Sequence, residues 1–273
     1  MQEFKHISSI QNSLVKRIVL LQNKSKERRK EGLFILEGKR ELELALKSGY
    51  TIETLLYNEK HVSKSEVERI LKTTGSTSVV SVSQEVYNKL AYRNTTEGLI
   101  VVALAKPHQL EQLEFKSKNP LVLVAEAPEK PGNIGALLRT ADAANLDAII
   151  IANPKTDLYN PNIIRSSVGC VFTRNIALAD TPDIISFFKK KNISIYCAAL
   201  SASKTYTELD YTGPSAIVVG TEDSGLGEEW LRTSKQNIII PMEGEIDSMN
   251  VSVSAAILIF EAKRQRQNRP ATK

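Results

Sequence analysis

Five polar residues stand where their types and spacing could serve a ligand: Asn133, Arg139, Glu222, Ser248 and Asn250. Asn133 and Arg139 share the stretch "EKPGNIGALLRTADAANLDAIII", in which Ile134, Leu137, Leu138 and Ala141 repeat at helical spacing and Arg139 falls off that apolar stripe. Asn133 is expected to cap the helix after a Pro131–Gly132 turn, and Asn145 to take the left-handed position past its end. Glu222 lies in "IVVGTEDSGLGEEWL", where Gly220, Gly225 and Gly227 follow a buried strand and let the backbone approach a flat or bulky ligand. Ser248 and Asn250 precede the final apolar helix of "IIIPMEGEIDSMNVSVSAAILIFEAKRQRQ", where a site role and simple N-capping both stay open. Met242 and Met249 in the same loop read as packing residues. Gly132 and Gly135 match neither the dinucleotide fingerprint nor the phosphate loop, which argues against a nicotinamide-dependent enzyme on an ordinary Rossmann sheet.

The elements that must carry these residues fall into two groups. In the first hundred residues, strand-like "LFILEG", "TIETLLYN", "TSVVSVS" and "GLIVVALA" alternate with helical patterns, so a small α/β sandwich is expected. A basic helical segment precedes them, with Leu14, Ile18 and Leu21 on one stripe. A polar stretch bracketed by Pro107 and Pro120 reads as a linker. Beyond it, "LVLVAEA", "DAIIIAN", "ISIYCAAL", "SAIVVG" and "QNIIIP" are near-continuous apolar runs, the pattern of parallel strands buried on both faces. The division predicted is residues 1–106, a linker at 107–119, and a doubly wound α/β domain at 120–273, whose ligand would lie outside the carboxyl ends of the strands.

Charge is spread unevenly over the 273 residues. Residues 1–40 hold ten Lys and Arg against four Asp and Glu, and residues 261–273 hold five against one, within a total of +5. The body between them is therefore acidic. Basic ends suggest contact with phosphates, with Lys26, Arg28, Arg29 and Lys30 the densest cluster; a solubilising face and a frayed tail are the alternative. Cys170 and Cys197 lie apart without metal spacing and read as buried, reduced thiols. His6, His61 and His108 are too scattered to suggest a metal. No apolar run reaches membrane-spanning length and no signal peptide is read, so a cytoplasmic protein that uses no membrane is expected.

Taken together and in order, "NIGALLR", "VVGTEDSGLG" and "IIIPMEGEIDSMNVSVSAAI" resemble the three signature motifs of the SpoU-type RNA 2′-O-ribose methyltransferases of the SPOUT superfamily, over roughly residues 119–265. The first hundred residues resemble the L30e-like substrate-binding domain found in front of many of these enzymes. The resemblance implies a mostly parallel sheet with helices on both faces and a C-terminal trefoil knot, a homodimer, and S-adenosylmethionine as the methyl donor. It places Gly220, Thr221, Leu226, Ile240, Pro241, Met242, Met249 and Asn250 around that cofactor. It makes Asn133, Arg139, Glu222, Ser248 and Asn250 the polar active-site positions, with Arg139 also meeting RNA and no metal required. Ribosomal RNA is the expected substrate; transfer RNA, or a non-catalytic RNA-binding role, are the alternatives. Asn145 for a usual Gly and Met249 for a usual Leu depart from the common pattern without removing a polar position.

Overall fold

The computed structural model describes residues 4–267 except 76, 93–96, 202, 222–223 and 247. The chain divides into two compact units, and the division is not a single cut: residues up to Pro107 are joined by Asp157–Thr173 in the first unit, and His108–Thr156 with Arg174–Lys273 form the second.

The first unit opens with β1 (Lys5–Ile7), α1 (Ser13–Asn23) and α2 (Ser25–Glu31). It continues through β2 (Leu33–Glu37), α3 (Lys39–Lys47), β3 (Ile52–Tyr57), α4 (Lys64–Thr74), β4 (Ser78–Val82), α5 (Gln84–Leu90) and β5 (Leu99–Leu104). The strands form one mixed sheet in the order β1-β4-β3-β5-β2, with β2 and β5 antiparallel. Asn12 caps α1 by accepting the Leu14 amide, and the face it buries is Val15, Ile18 and Leu21, so the stripe runs through Val15 while Leu14 is only half-buried. The left-handed Gly32 closes α2 and turns the chain into β2, a conformation that costs glycine little.

The stretch Asp157–Thr173 supplies this unit with two further helices, α7 (Pro161–Ser166) and α8 (Cys170–Thr173). Its aromatic residues complete a cluster on β2: Phe34 stacks on Tyr159 with centroids 4.2 Å apart and on Phe172 at 5.8 Å. The hydroxyls of Tyr50 and Tyr159 lie 3.1 Å apart, and burial pushes the Tyr159 hydroxyl far above its ordinary pKa. The apolar surface of α7 and α8 is thereby spent on the first unit.

The second unit contains β6 (Leu121–Glu126), α6 (Pro131–Ala143), β7 (Ala148–Ala152), β8 (Ile176–Ala179), α9 (Thr181–Lys190) and β9 (Ser194–Ala198). After these come β10 (Ser203–Thr205), β11 (Ser215–Val219), α10 (Glu228–Thr233), β12 (Gln236–Ile239) and α11 (Val251–Gln267). All seven strands run parallel, in the order β10-β12-β9-β11-β6-β7-β8. The expected doubly wound α/β architecture is present. Two strands carried too little sequence signal to be foreseen: β8 has four residues and β10 three, at the two edges. The stretch expected as a linker packs instead, since Leu110 and Leu113 are buried in the core formed by Val122, Val124, Ile150, Val218 and Trp230. Burying two leucines stabilises by about 1.5–3 kcal/mol each.

Strand order reverses beside β6: the chain moves from β6 to β7 and β8 on one side, then to β9, β11 and β12 on the other. The crevice outside the carboxyl ends of β6 and β11 is where such a sheet holds ligands. α11 returns to pack on α6 and β11. Its Arg266 donates to the carbonyls of Asn119, Tyr211 and Gly213, and Arg264 pairs with Glu261. Arg266 is therefore structural, while Arg264 pairs at the surface; Arg269 and Lys273 lie outside the described residues.

Candidate active site

α6 begins at Pro131, whose fixed φ suits a first helical turn, with Lys130 as the cap residue and no side-chain cap bond. Asn133 is thus the third residue of the helix and not its cap, because proline starts the helix two residues earlier. Ile134, Leu137, Leu138 and Ala141 are buried as their spacing predicts. Arg139 projects from the opposite side into solvent and has no ion-pair partner among the described residues, so its charge is available to an incoming anion. Asn145 adopts the left-handed conformation expected of it, φ 45°.

The loop after β11 folds back on itself. The Thr221 amide donates to the Gly225 carbonyl at 3.0 Å, and Thr221 Oγ1 accepts the Ser224 amide at 3.0 Å. A Cβ on Gly220 would lie 2.3 Å from the carbonyl carbon and oxygen of Gly225, so only glycine permits this close approach. Leu226 and the fully buried Trp230 then anchor the loop's far end in the core. Glu222, expected among the polar site residues, lies outside the described residues.

Beyond β12, Ile240, Met242 and Met249 are half-buried and Pro241 and Ser248 exposed. Asn250 ends this loop and caps α11: its Oδ1 accepts the Ser252 amide at 3.0 Å and the Ser252 hydroxyl at 2.6 Å. Its Nδ2 donates to Asn133 Oδ1 at 3.1 Å. One side chain thus both caps α11 and reaches Asn133 on α6. Of the polar residues predicted, the structure joins Asn133 and Asn250 directly, and Arg139 and Ser248 stand outside that bond.

A polar hub under this rim escaped the sequence reading. Glu126, the last residue of β6, accepts the Trp230 indole N–H at 2.7 Å and the Thr181 hydroxyl at 2.9 Å on Oε2, and the Asn153 amide at 2.7 Å on Oε1. One carboxylate thereby fixes the ends of β6 and β7, the start of α9 and the helix after the glycine loop. A charged residue closing a fully apolar strand was the available signal.

These features suit a flat, polar-edged ligand: a glycine backbone without side-chain bulk, half-buried apolar side chains in the loop after β12, and an exposed cation on the helix that carries one of the two joined amides. Among the described residues no group of His, Cys, Asp or Glu could hold a metal ion, and no helix is long and apolar enough to cross a membrane. Cys197 is buried, which raises its thiol to about 11, while Cys170 is half-buried.

The basic segment divides. Lys26, Arg29 and Lys30 are exposed on α2. Arg28 is only 5% exposed; it forms a buried ion pair with Asp157 and donates to the carbonyls of Leu21 and Gln22 at 2.7 and 3.0 Å. Of the four cations expected to meet RNA, Arg28 is thus engaged in holding the Asp157–Thr173 segment, and Lys26, Arg29 and Lys30 are the exposed ones.

Residues 120–260 match the model of the SpoU rRNA Methylase family, and residues 12–101 that of the MRM3-like substrate binding domain. The chain is 29% identical to the 23S rRNA (guanosine(2553)-2′-O)-methyltransferase RlmP of Bacillus subtilis, over 95% of this chain and 99% of that one. It superposes on an RNA 2′-O ribose methyltransferase crystal structure with TM-score 0.81 and 37% identity, covering 96% and 99% of the two chains. An AdoMet-bound rRNA methyltransferase from Sinorhizobium meliloti gives TM-score 0.87 at 28% identity, covering 96% and 98%.

Proposed function

The chain belongs to the SpoU rRNA methylase family, and from that premise we propose that it transfers the methyl group of S-adenosylmethionine to a ribose 2′-hydroxyl of ribosomal RNA. The observation that carries the assignment of the site is the Asn133–Asn250 hydrogen bond, which links the helix bearing the cation Arg139 to the loop bearing Met249.

The cofactor's residues would be Gly220, Thr221 and Leu226 on one side and Ile240, Pro241, Met242, Met249 and Asn250 on the other. When bound, it supplies an electrophilic methyl group on a sulfonium, so the protein's task is orientation. The close-packed Gly220 leaves the backbone of the loop open to the ligand, and the half-buried apolar residues offer faces for adenine. A ribose hydroxyl is a poor nucleophile and sheds its proton as it attacks. Arg139 stays protonated in proteins and so acts as a clamp on the target phosphate and the developing oxyanion. Asn133, Ser248 and Asn250 orient the ribose, and Glu222 steadies the loop or Arg139.

The exposed Lys26, Arg29 and Lys30 supply phosphate contacts in the substrate-binding unit. A second copy of the chain is proposed to cover α11, where Val253 and Phe260, seven residues apart on one helical face, are 48% and 49% exposed. The family's trefoil knot in the C-terminal part and a cytoplasmic location follow from the same reading.

Methyl-labelled S-adenosylmethionine, incubated with unmodified ribosomal RNA and separately with transfer RNA, tests it. Label recovered in one 2′-O-methyl nucleoside of ribosomal RNA, and lost in Arg139→Ala, is the expected result. Label in a base would overturn the ribose chemistry, and label in transfer RNA alone would overturn the substrate.

A further inference from the structure

The first unit carries a second cluster suited to RNA. Tyr92, just beyond α5, is 47% exposed. Its amide donates to the Glu37 carboxylate at 2.8 Å, and its hydroxyl donates to Asn162 Oδ1 at 2.8 Å. The Arg165 guanidinium lies over the ring, 5.1 Å from its centroid, and its Nη2 donates to the same Asn162 oxygen at 3.1 Å. Arg165 is exposed and has no carboxylate partner among the described residues. A small cavity of about 30 Å³ adjoins the pair, lined by Ile35, Leu36, Pro161 and Ile164. It has room for about one water molecule, so a flat ligand would rest at its mouth.

Three features separate this arrangement from an ordinary surface contact. The ring is large, apolar and half open to solvent. One hydrogen bond holds the backbone of Tyr92, a second holds the outer edge of its ring, and a third places the cation over the ring. Planar groups held in place beforehand bind a flat partner with little further loss of rotamer freedom. Aromatic rings and guanidinium planes are the two kinds of surface on which unpaired RNA bases stack, and the positive charge suits the adjoining phosphate.

We propose that Tyr92 and Arg165 form a stacking platform for an unpaired base of the RNA substrate, distinct from the residues that handle the ribose. The inference rests on the reading that the substrate is RNA. Tyr92 comes from the N-terminal hundred residues, whereas Arg165 and Asn162 come from the Asp157–Thr173 segment, so the platform exists only when both are in place.

Binding of a short, labelled single-stranded RNA and of its duplex form to the full chain decides the matter, with S-adenosylmethionine affinity measured in parallel. Tyr92→Ala and Arg165→Ala are expected to weaken single-strand binding by about 5- to 150-fold, the range for losing one base–aromatic stack. Tyr92→Phe, which keeps the ring and loses only the bond to Asn162, is expected to weaken binding clearly less than Tyr92→Ala, and cofactor affinity is unchanged in all three. Should Tyr92→Phe lose as much as Tyr92→Ala, the pair is a structural strut and the platform is wrong. Alanine variants that bind like wild type, or lose duplex binding equally, also overturn it. A wild-type protein that transfers methyl groups while these variants bind normally leaves the enzymatic reading standing and removes only the platform. A wild-type protein that binds neither RNA removes both.

Discussion

Asn250 Nδ2 donates to Asn133 Oδ1 across 3.1 Å, between residues 117 positions apart in the chain. The bond ties the loop before the last helix to the first turn of α6, and Asn250 is held at its other end by capping α11. Each side chain therefore sets the other's place. Asn133→Ala and Asn250→Ala are each expected to lower kcat by about a hundredfold, the scale of a small misplacement of reacting groups. The double variant should be little worse than either single, and steady-state kinetics on ribosomal RNA reads this coupling. Additive losses would show that the two amides act separately.

Gly220→Ala tests the loop. Its Cβ would meet the Gly225 carbonyl at 2.3 Å, and backbone on both sides leaves no flexible side chain to yield. The Thr221–Gly225 bond must open, and S-adenosylmethionine affinity is expected to fall by about tenfold or more while the core around Trp230 stays folded. Calorimetric titration together with a melting curve separates the two effects.

The basic helix α2 offers a contrast within five residues. Arg28→Ala strands Asp157 as a buried carboxylate, and a loss of about 3–5 kcal/mol of stability is expected in denaturant unfolding. Replacing Lys26, Arg29 and Lys30 together by alanine should leave stability nearly unchanged. It should reduce the salt dependence of RNA binding, lowering the log–log slope by about 0.7–0.9 for each phosphate that is no longer neutralised. An unaltered slope would reassign the three to solubility.

Cys197 predicts a pH effect. Burial raises its thiol from 9 to about 11, so the unfolded chain ionises first. Its contribution is fully present below pH 9 and is lost as pH rises towards 11, an effect of about 2–3 kcal/mol if nothing else compensates. Unfolding midpoints across that window, compared between wild type and Cys197→Ala, should show the steeper fall in wild type. Thiol reagents should leave Cys197 unmodified in the folded protein at neutral pH.

Long apolar runs announce the five central strands of the second unit, and the stripe Ile134–Leu137–Leu138–Ala141 announces the face of α6, because burial on both sides of a sheet leaves a strong signature. β8 and β10 escape such a reading because edge strands of four and three residues carry almost no period. Asn133 reads as a cap because an Asn beside a Pro–Gly turn offers that role locally, and only the backbone reveals that Pro131 already starts the helix. The pairing of Asn133 with Asn250 is beyond periodicity altogether, since nothing local encodes a contact between the two ends of a domain. Arg28 shows the same limit from the other side: among four neighbouring cations, burial by Asp157, far along the chain, decides which one is unavailable.

The aromatic cluster on β2 has a practical corollary for anyone dissecting the molecule. Trimming the gene after Pro107, where the composition invites a cut, would discard Tyr159 and Phe172 and leave Phe34 and Arg28 without their cover. The first unit is thus not a portable module. A soluble excised version would need the Asp157–Thr173 segment spliced back, and an exchange of substrate-binding domains between relatives would have to carry two pieces of chain, not one.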